Sequence, residues 1–95
     1  MSSTDGHKTW TFLTNHAQVL LCLSGTPDVR LRDVAEHVGI TERATQRILA
    51  DLVEAGYVKV ERVGRRNRYT IDREHAMRHS AQVGLEIGAL LEALT

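Results

Sequence analysis

The run RDVAEHVGITERATQRILADLVEAG, residues 32–56, constrains the fold more than any other stretch of the chain. Val34, Ala35 and Val38 fall on one side of a short helix over 32–38. Gly39 follows where a helix stops and the backbone turns through positive φ. Ile40 and Thr41 leave room only for a tight turn. Thr41 then offers an N-cap hydroxyl, and residues 42–55 run without Gly or Pro until Gly56. At about 100° per residue, Ala44, Ile48, Leu52 and Ala55 share one arc, flanked by Thr45 and Leu49. Glu42, Arg43, Gln46, Arg47, Ala50 and Glu54 lie opposite. One row belongs to a core, and the other looks outward.

The flanks complete the pattern. Residues 1–8 are small and polar and are expected to be a disordered tail. WTFLT is an apolar lead-in, and Thr14 can cap a helix through NHAQVLLCLS that stops at Gly25. GTPDV is turn chemistry, with Pro27 barring continuation. After Gly56, YVKVERV alternates as a strand, GRRN reads as a turn, and RYTID reads as a second strand. Residues 74–94 contain no proline and are expected to form one long final helix. The order is helix, short helix, tight turn, helix, hairpin: a helix-turn-helix with a wing. The fold class is therefore α+β, with a three-helix core, a two-stranded wing and a long C-terminal helix. Residues 9–73 make the DNA-binding domain of that pattern, and 74–95 its dimerisation helix.

Charge singles out one part of this plan. The chain has twelve Lys+Arg and twelve Asp+Glu, a formal net charge of zero. Yet residues 57–73 carry six bases and two acids, and ERVGRRNR alone holds four arginines. A surface that meets phosphate needs positive charge only where phosphate arrives, so the rest of the chain can balance it.

Two segments, LRDVAEHVGITERATQRILADLVEAGYV and VERVGRRNRYTI, resemble the winged helix-turn-helix transcription regulators of the MarR and ArsR type. The resemblance runs over residues 15–72. It implies sequence-specific binding of double-stranded DNA by a homodimer, often as a repressor. MarR proteins are usually longer, with extra helices that build the dimer and an effector pocket, whereas this chain holds little more than the DNA-binding core. The Cys-x-Cys-Asp box of many ArsR metal sensors is absent, and Thr45 stands where the pattern more often has Val. A small-molecule effector is left open, with no residue to support it.

The expected DNA contacts follow from chemistry. Arg43 and Arg47 suit guanine O6/N7, Gln46 suits adenine N6/N7, and Glu42 can accept from cytosine N4 or favour the helix dipole. Thr41 is a cap first and a phosphate contact second. The bland reading of Arg47 is an ion pair with Asp51 one turn on. Arg62, Arg65, Arg66, Asn67 and Arg68 on the protruding hairpin can neutralise phosphates or enter the minor groove; the bland reading there is a solvated loop. A winged-helix module for protein interaction is the alternative function, and the arginine cluster argues against it.

Other chemistry finds less support. His75 and His79 have i,i+4 spacing, but two exposed histidines at a helix start explain them, and no metal site is expected. His16 and His37 have no partner by spacing. Cys22, the lone cysteine, reads as a small buried apolar residue and fits a reducing compartment, so the protein is expected to be cytoplasmic. No apolar run reaches the roughly 18 residues of a membrane span. No nucleophile–base constellation, phosphate-cradling glycine loop or carboxylate pair appears, so neither an enzyme nor a cofactor is expected. In the last segment Val83, Ile87, Leu90 and Leu94 recur at helix-seam spacing and are the expected dimer contacts.

Overall fold

The computed structural model describes residues 10–82 and 84–95, so the expected tail and Val83 lie outside the described residues. The elements in order are α1 (Asn15–Gly25), α2 (Leu31–Val38), α3 (Glu42–Glu54), β1 (Val58–Val63), β2 (Arg66–Ile71), a 3-10 turn at Ser80–Gln82, and α4 (Ile87–Ala93). Both expected threonine caps are made. Thr14 Oγ1 accepts from the Ala17 N–H at 3.1 Å, and Thr41 Oγ1 accepts from the Ala44 N–H at 3.0 Å. Gly39 closes α2 in the left-handed conformation, φ 88°.

α1 is apolar around much of its girth because α2, α3 and β2 all pack on it. Its Val19, Leu20 and Leu23 meet Val34 of α2, Ile48 and Leu52 of α3, and Val58 and Tyr69 of the hairpin in one core. Thr45 is fully buried there, its hydroxyl donating to the Thr41 carbonyl at 2.9 Å, so a polar atom enters the core without losing a partner. Both tyrosines are buried, whereas Trp10 and Phe12 stay exposed and stack edge-to-face at 5.0 Å.

The strands pair antiparallel, Val58 opposite Ile71 through Val63 opposite Arg66. The hairpin turn is therefore only Gly64–Arg65, two residues shorter than GRRN, and Arg66 and Asn67 already belong to β2. Gly64, at φ 63°, takes the first central position, where a tight hairpin turn favours glycine.

The final segment corrects an expectation: residues 74–94 are not one helix. After β2 the Asp72 side chain accepts from the Glu74 N–H at 3.2 Å and turns the chain. Residues 73–77 then run antiparallel to 85–88. The Met77 N–H donates to Leu85 O at 2.9 Å, the Ile87 N–H to His75 O at 2.8 Å, and the Gly88 N–H to Arg73 O at 2.7 Å. The Tyr57 hydroxyl donates to Ala76 O at 2.6 Å, and the His75 ring packs edge-on to Tyr57 at 4.5 Å. Helical hydrogen bonds would compete for these same backbone groups, and the strap satisfies them while bringing Ile87 and Leu91 into the core. α4 is what remains helical, seven residues long.

The expected seam changes with it. Ile87, at 9% exposure, and Leu91, at 1%, are one turn apart and face the protein's own core. Ile87 is thus committed to the protein's own core. Leu90 is half-buried, and Leu94 is 45% exposed.

Candidate nucleic-acid interface

α3 presents the outward row that its periodicity implies. Glu42, Arg43, Gln46, Arg47, Ala50 and Glu54 are exposed, while Thr45, Ile48 and Leu52 are buried and Ala44, Leu49 and Ala55 half-buried. The tight turn before it, capped by Thr41, leaves the first turn of α3 open to solvent with Arg43, Gln46 and Arg47 around it. Unpaired N–H groups at such an N-terminus favour an anion. The pairing of Arg47 with Asp51 does not form. Asp51 is held instead by His16 of α1, Nε2 to Oδ2 at 2.8 Å, a contact across 35 positions that spacing along the chain does not reveal. Among the described residues, neither Arg43 nor Arg47 comes within 4.0 Å of a carboxylate.

The wing divides its arginines by face. Because strand side chains alternate, Arg62 and its cross-strand neighbour Asn67 share the face of Val60 and Tyr69. Arg66 and Arg68 lie on the other face with Lys59, Glu61 and Thr70, and Arg65 sits at the tip. All five polar candidates are exposed. Arg62 Nε donates to Gly64 O at 3.3 Å, a bond within the turn. Arg66 reaches out of the hairpin: its Nη2 donates to Asp28 O, in the loop between α1 and α2, at 2.7 Å. The Tyr69 N–H bonds the neighbouring Pro27 O at 2.8 Å, so this loop lies along the open edge of β2. Sequence reasoning missed both contacts. The only sign of them is the apolar Val29 beside a polar turn, and Val29 packs against the core.

The remaining candidates are dispersed. His75 and His79 do not share a helix face, since the strap replaces that helix; His75 Nδ1 lies 3.8 Å from Asp72, and His79 Nδ1 accepts from the Ala81 N–H. Burial pushes the thiol pKa of half-buried Cys22 upward, which disfavours the reactive thiolate. A cleft of about 660 Å³ opens between α1, α3 and the strap, with His16, Leu20, Leu52, Tyr57, Arg78 and Ile87 among its lining. No helix among the described residues is long and apolar enough to cross a membrane.

Known proteins bear on this geometry. The family model for the MarR family matches residues 11–68, from the lead-in through the wing to Arg68. No curated protein matches. Among solved structures, a predicted DNA-binding transcriptional regulator from E. coli superposes with a TM-score of 0.59 at 23% identity, covering 82% of this chain and 70% of that one. The PcaV transcriptional regulator from Streptomyces coelicolor, in complex with its natural ligand, gives 0.57 at 22% identity, over 86% and 60%. A MarR family protein from Mycobacterium tuberculosis in complex with salicylic acid gives 0.57 at 24%, over 86% and 57%. These likenesses establish the fold, and the chain spans less than two thirds of the last two proteins.

Proposed function

The chain belongs to the MarR family of DNA-binding transcription regulators, which are not enzymes, and we propose that it binds an operator-like duplex as a homodimeric repressor. The observation that carries this reading is the exposed row of Glu42, Arg43, Gln46 and Arg47 on a helix whose opposite row is the protein's core. Such a helix can enter the major groove without disturbing the fold, and its side chains are of the types that read base edges. Thr41 adds a hydroxyl at the helix N-terminus. The wing contributes Arg62, Arg65, Asn67 and Arg68 to backbone or minor groove.

The dimer is supported by apolar surface. Trp10 is 68% exposed, Phe12 91% and Leu94 45%, more bare hydrophobic area than a domain this small needs for itself. A two-fold dimer would present two recognition helices to half-sites about one helical turn of DNA apart. A dimer bound at the operator would repress by blocking polymerase, the mode that the family resemblance suggests. Selection of bound sequences from a random duplex pool tests the function: a symmetric enriched motif supports it, and no enrichment favours a protein-interaction module.

A second reading concerns the cleft. Its volume lies within the roughly 300–1,000 Å³ of small-molecule sites, and it mixes an apolar floor with His16, Asp51 and Arg78. One of the similar structures holds its natural ligand and another holds salicylic acid. An effector seated there would bear on α1 and α3 together. Salicylate titrated into the protein–DNA complex tests it; release of DNA supports an effector role.

A further inference from the structure

Of the four arginines on the hairpin, Arg66 is the one whose guanidinium is committed elsewhere in the fold among the described residues. It opens β2 next to the tip, and its Nη2 donates to the carbonyl oxygen of Asp28, 38 positions earlier, at 2.7 Å. Three residues along the same strand, the Tyr69 N–H donates to Pro27 O at 2.8 Å. The loop after α1 therefore holds the open edge of β2 at two points. One is a main-chain bond beside a buried tyrosine, and the other is a side-chain bond near the tip. Every β1 residue beyond Val58 and every β2 residue before Tyr69 is exposed, so no core packing fixes the outer half of the hairpin. A two-stranded hairpin on its own is marginal in water. A charged donor makes a stronger hydrogen bond than a neutral one, and the guanidinium is planar, long and always protonated.

We propose that Arg66 is a positioning residue, a strut from the Thr26–Val29 loop that sets the direction of the wing tip, and that Arg65 at the tip makes the phosphate contact. The strut itself is independent of what the wing touches; its effect on affinity rests on the DNA-binding reading above. It also ties the wing to the loop that follows the C-terminal end of α1.

Two measurements on the full chain test this, using Arg65→Ala, Arg66→Ala and the double variant. The first is the dependence of duplex affinity on salt. Arg65→Ala loses one phosphate contact and lowers the slope of log K against log salt by about 1. Arg66→Ala misdirects the tip and lowers it by at least as much. The double variant then loses no more than Arg66→Ala alone, because the contact of Arg65 is already gone. The second is amide hydrogen exchange without DNA. The Tyr69 amide and its β2 neighbours exchange about tenfold faster in Arg66→Ala and at the wild-type rate in Arg65→Ala. A double variant whose loss of slope equals the sum of the two single losses overturns the proposal, and so does unchanged exchange in Arg66→Ala. If the wild-type protein binds no duplex, the functional reading fails, and the exchange measurement alone decides the strut.

Discussion

Replacing Gly88 with Ala should destabilise this protein, although the same change would stabilise an ordinary helix. A Cβ built on Gly88 would lie 2.6 Å from the Arg73 carbonyl oxygen and 2.9 Å from the Arg73 Cβ. Neither atom is the far end of a flexible side chain, so the strap must move away from α4. Overpacking of this kind costs about 1–3 kcal/mol. Moving apart also stretches the 2.7 Å bond from the Gly88 N–H to Arg73 O, worth about 0.5–1.5 kcal/mol net. Alanine's helix preference returns about 1 kcal/mol in a helix interior, and less in a first turn. The net is about 1–3 kcal/mol of destabilisation, a fall in Tm of roughly 5–20 °C for a domain of this size. Thermal and urea unfolding followed by far-UV circular dichroism measure it. A Tm equal to or above wild type would refute the strap and restore a continuous helix over 74–94.

Three further outcomes are expected. Arg43→Ala and Gln46→Ala should each weaken binding to the preferred duplex by about 1–3 kcal/mol and to an unrelated duplex much less; equal losses on both would assign these side chains to the DNA backbone. Thr45→Val should leave stability within about 1 kcal/mol, because the Thr41 carbonyl keeps the Thr45 N–H at 3.0 Å when the hydroxyl is gone; a loss beyond about 2 kcal/mol in urea would make the hydroxyl essential to the turn. Trp10→Ser with Phe12→Ser and Leu94→Lys should convert a dimer at micromolar concentration to a folded monomer by sedimentation equilibrium, and a wild-type monomer under those conditions contradicts the dimer.

What could be read from sequence alone was what local chemistry decides. Thr14, Thr41 and Gly39 punctuate helices through bonds to neighbours three or four residues away, and the 3.6-residue period separates the exposed row of α3 from the buried and half-buried one. Alternation found the hairpin, although GRRN looked like a four-residue turn because nothing local shows Arg66 pairing with Val63. The last segment departs from the expected helix for the opposite reason. Its 4-3-4 apolar spacing and lack of proline suit a helix, but bonds to Arg73, His75 and Leu85 decide its path. The Arg66–Asp28 and His16–Asp51 contacts join residues 38 and 35 positions apart, and no periodicity encodes them.

The most direct test of the central claim is the affinity of the full chain for duplex DNA measured across salt concentration. Arg43, Arg47, Arg62, Arg65 and Arg68 stand exposed on α3 and the wing. If most of them meet phosphate or groove, log K should fall linearly with log salt with a slope of about −3 to −4 per protomer, at roughly −0.9 per contact. The formal net charge of zero makes this a demanding expectation, because the slope must come from the local clusters alone. A slope near zero, or no binding at roughly 50 mM salt where such contacts are strong, would contradict the account.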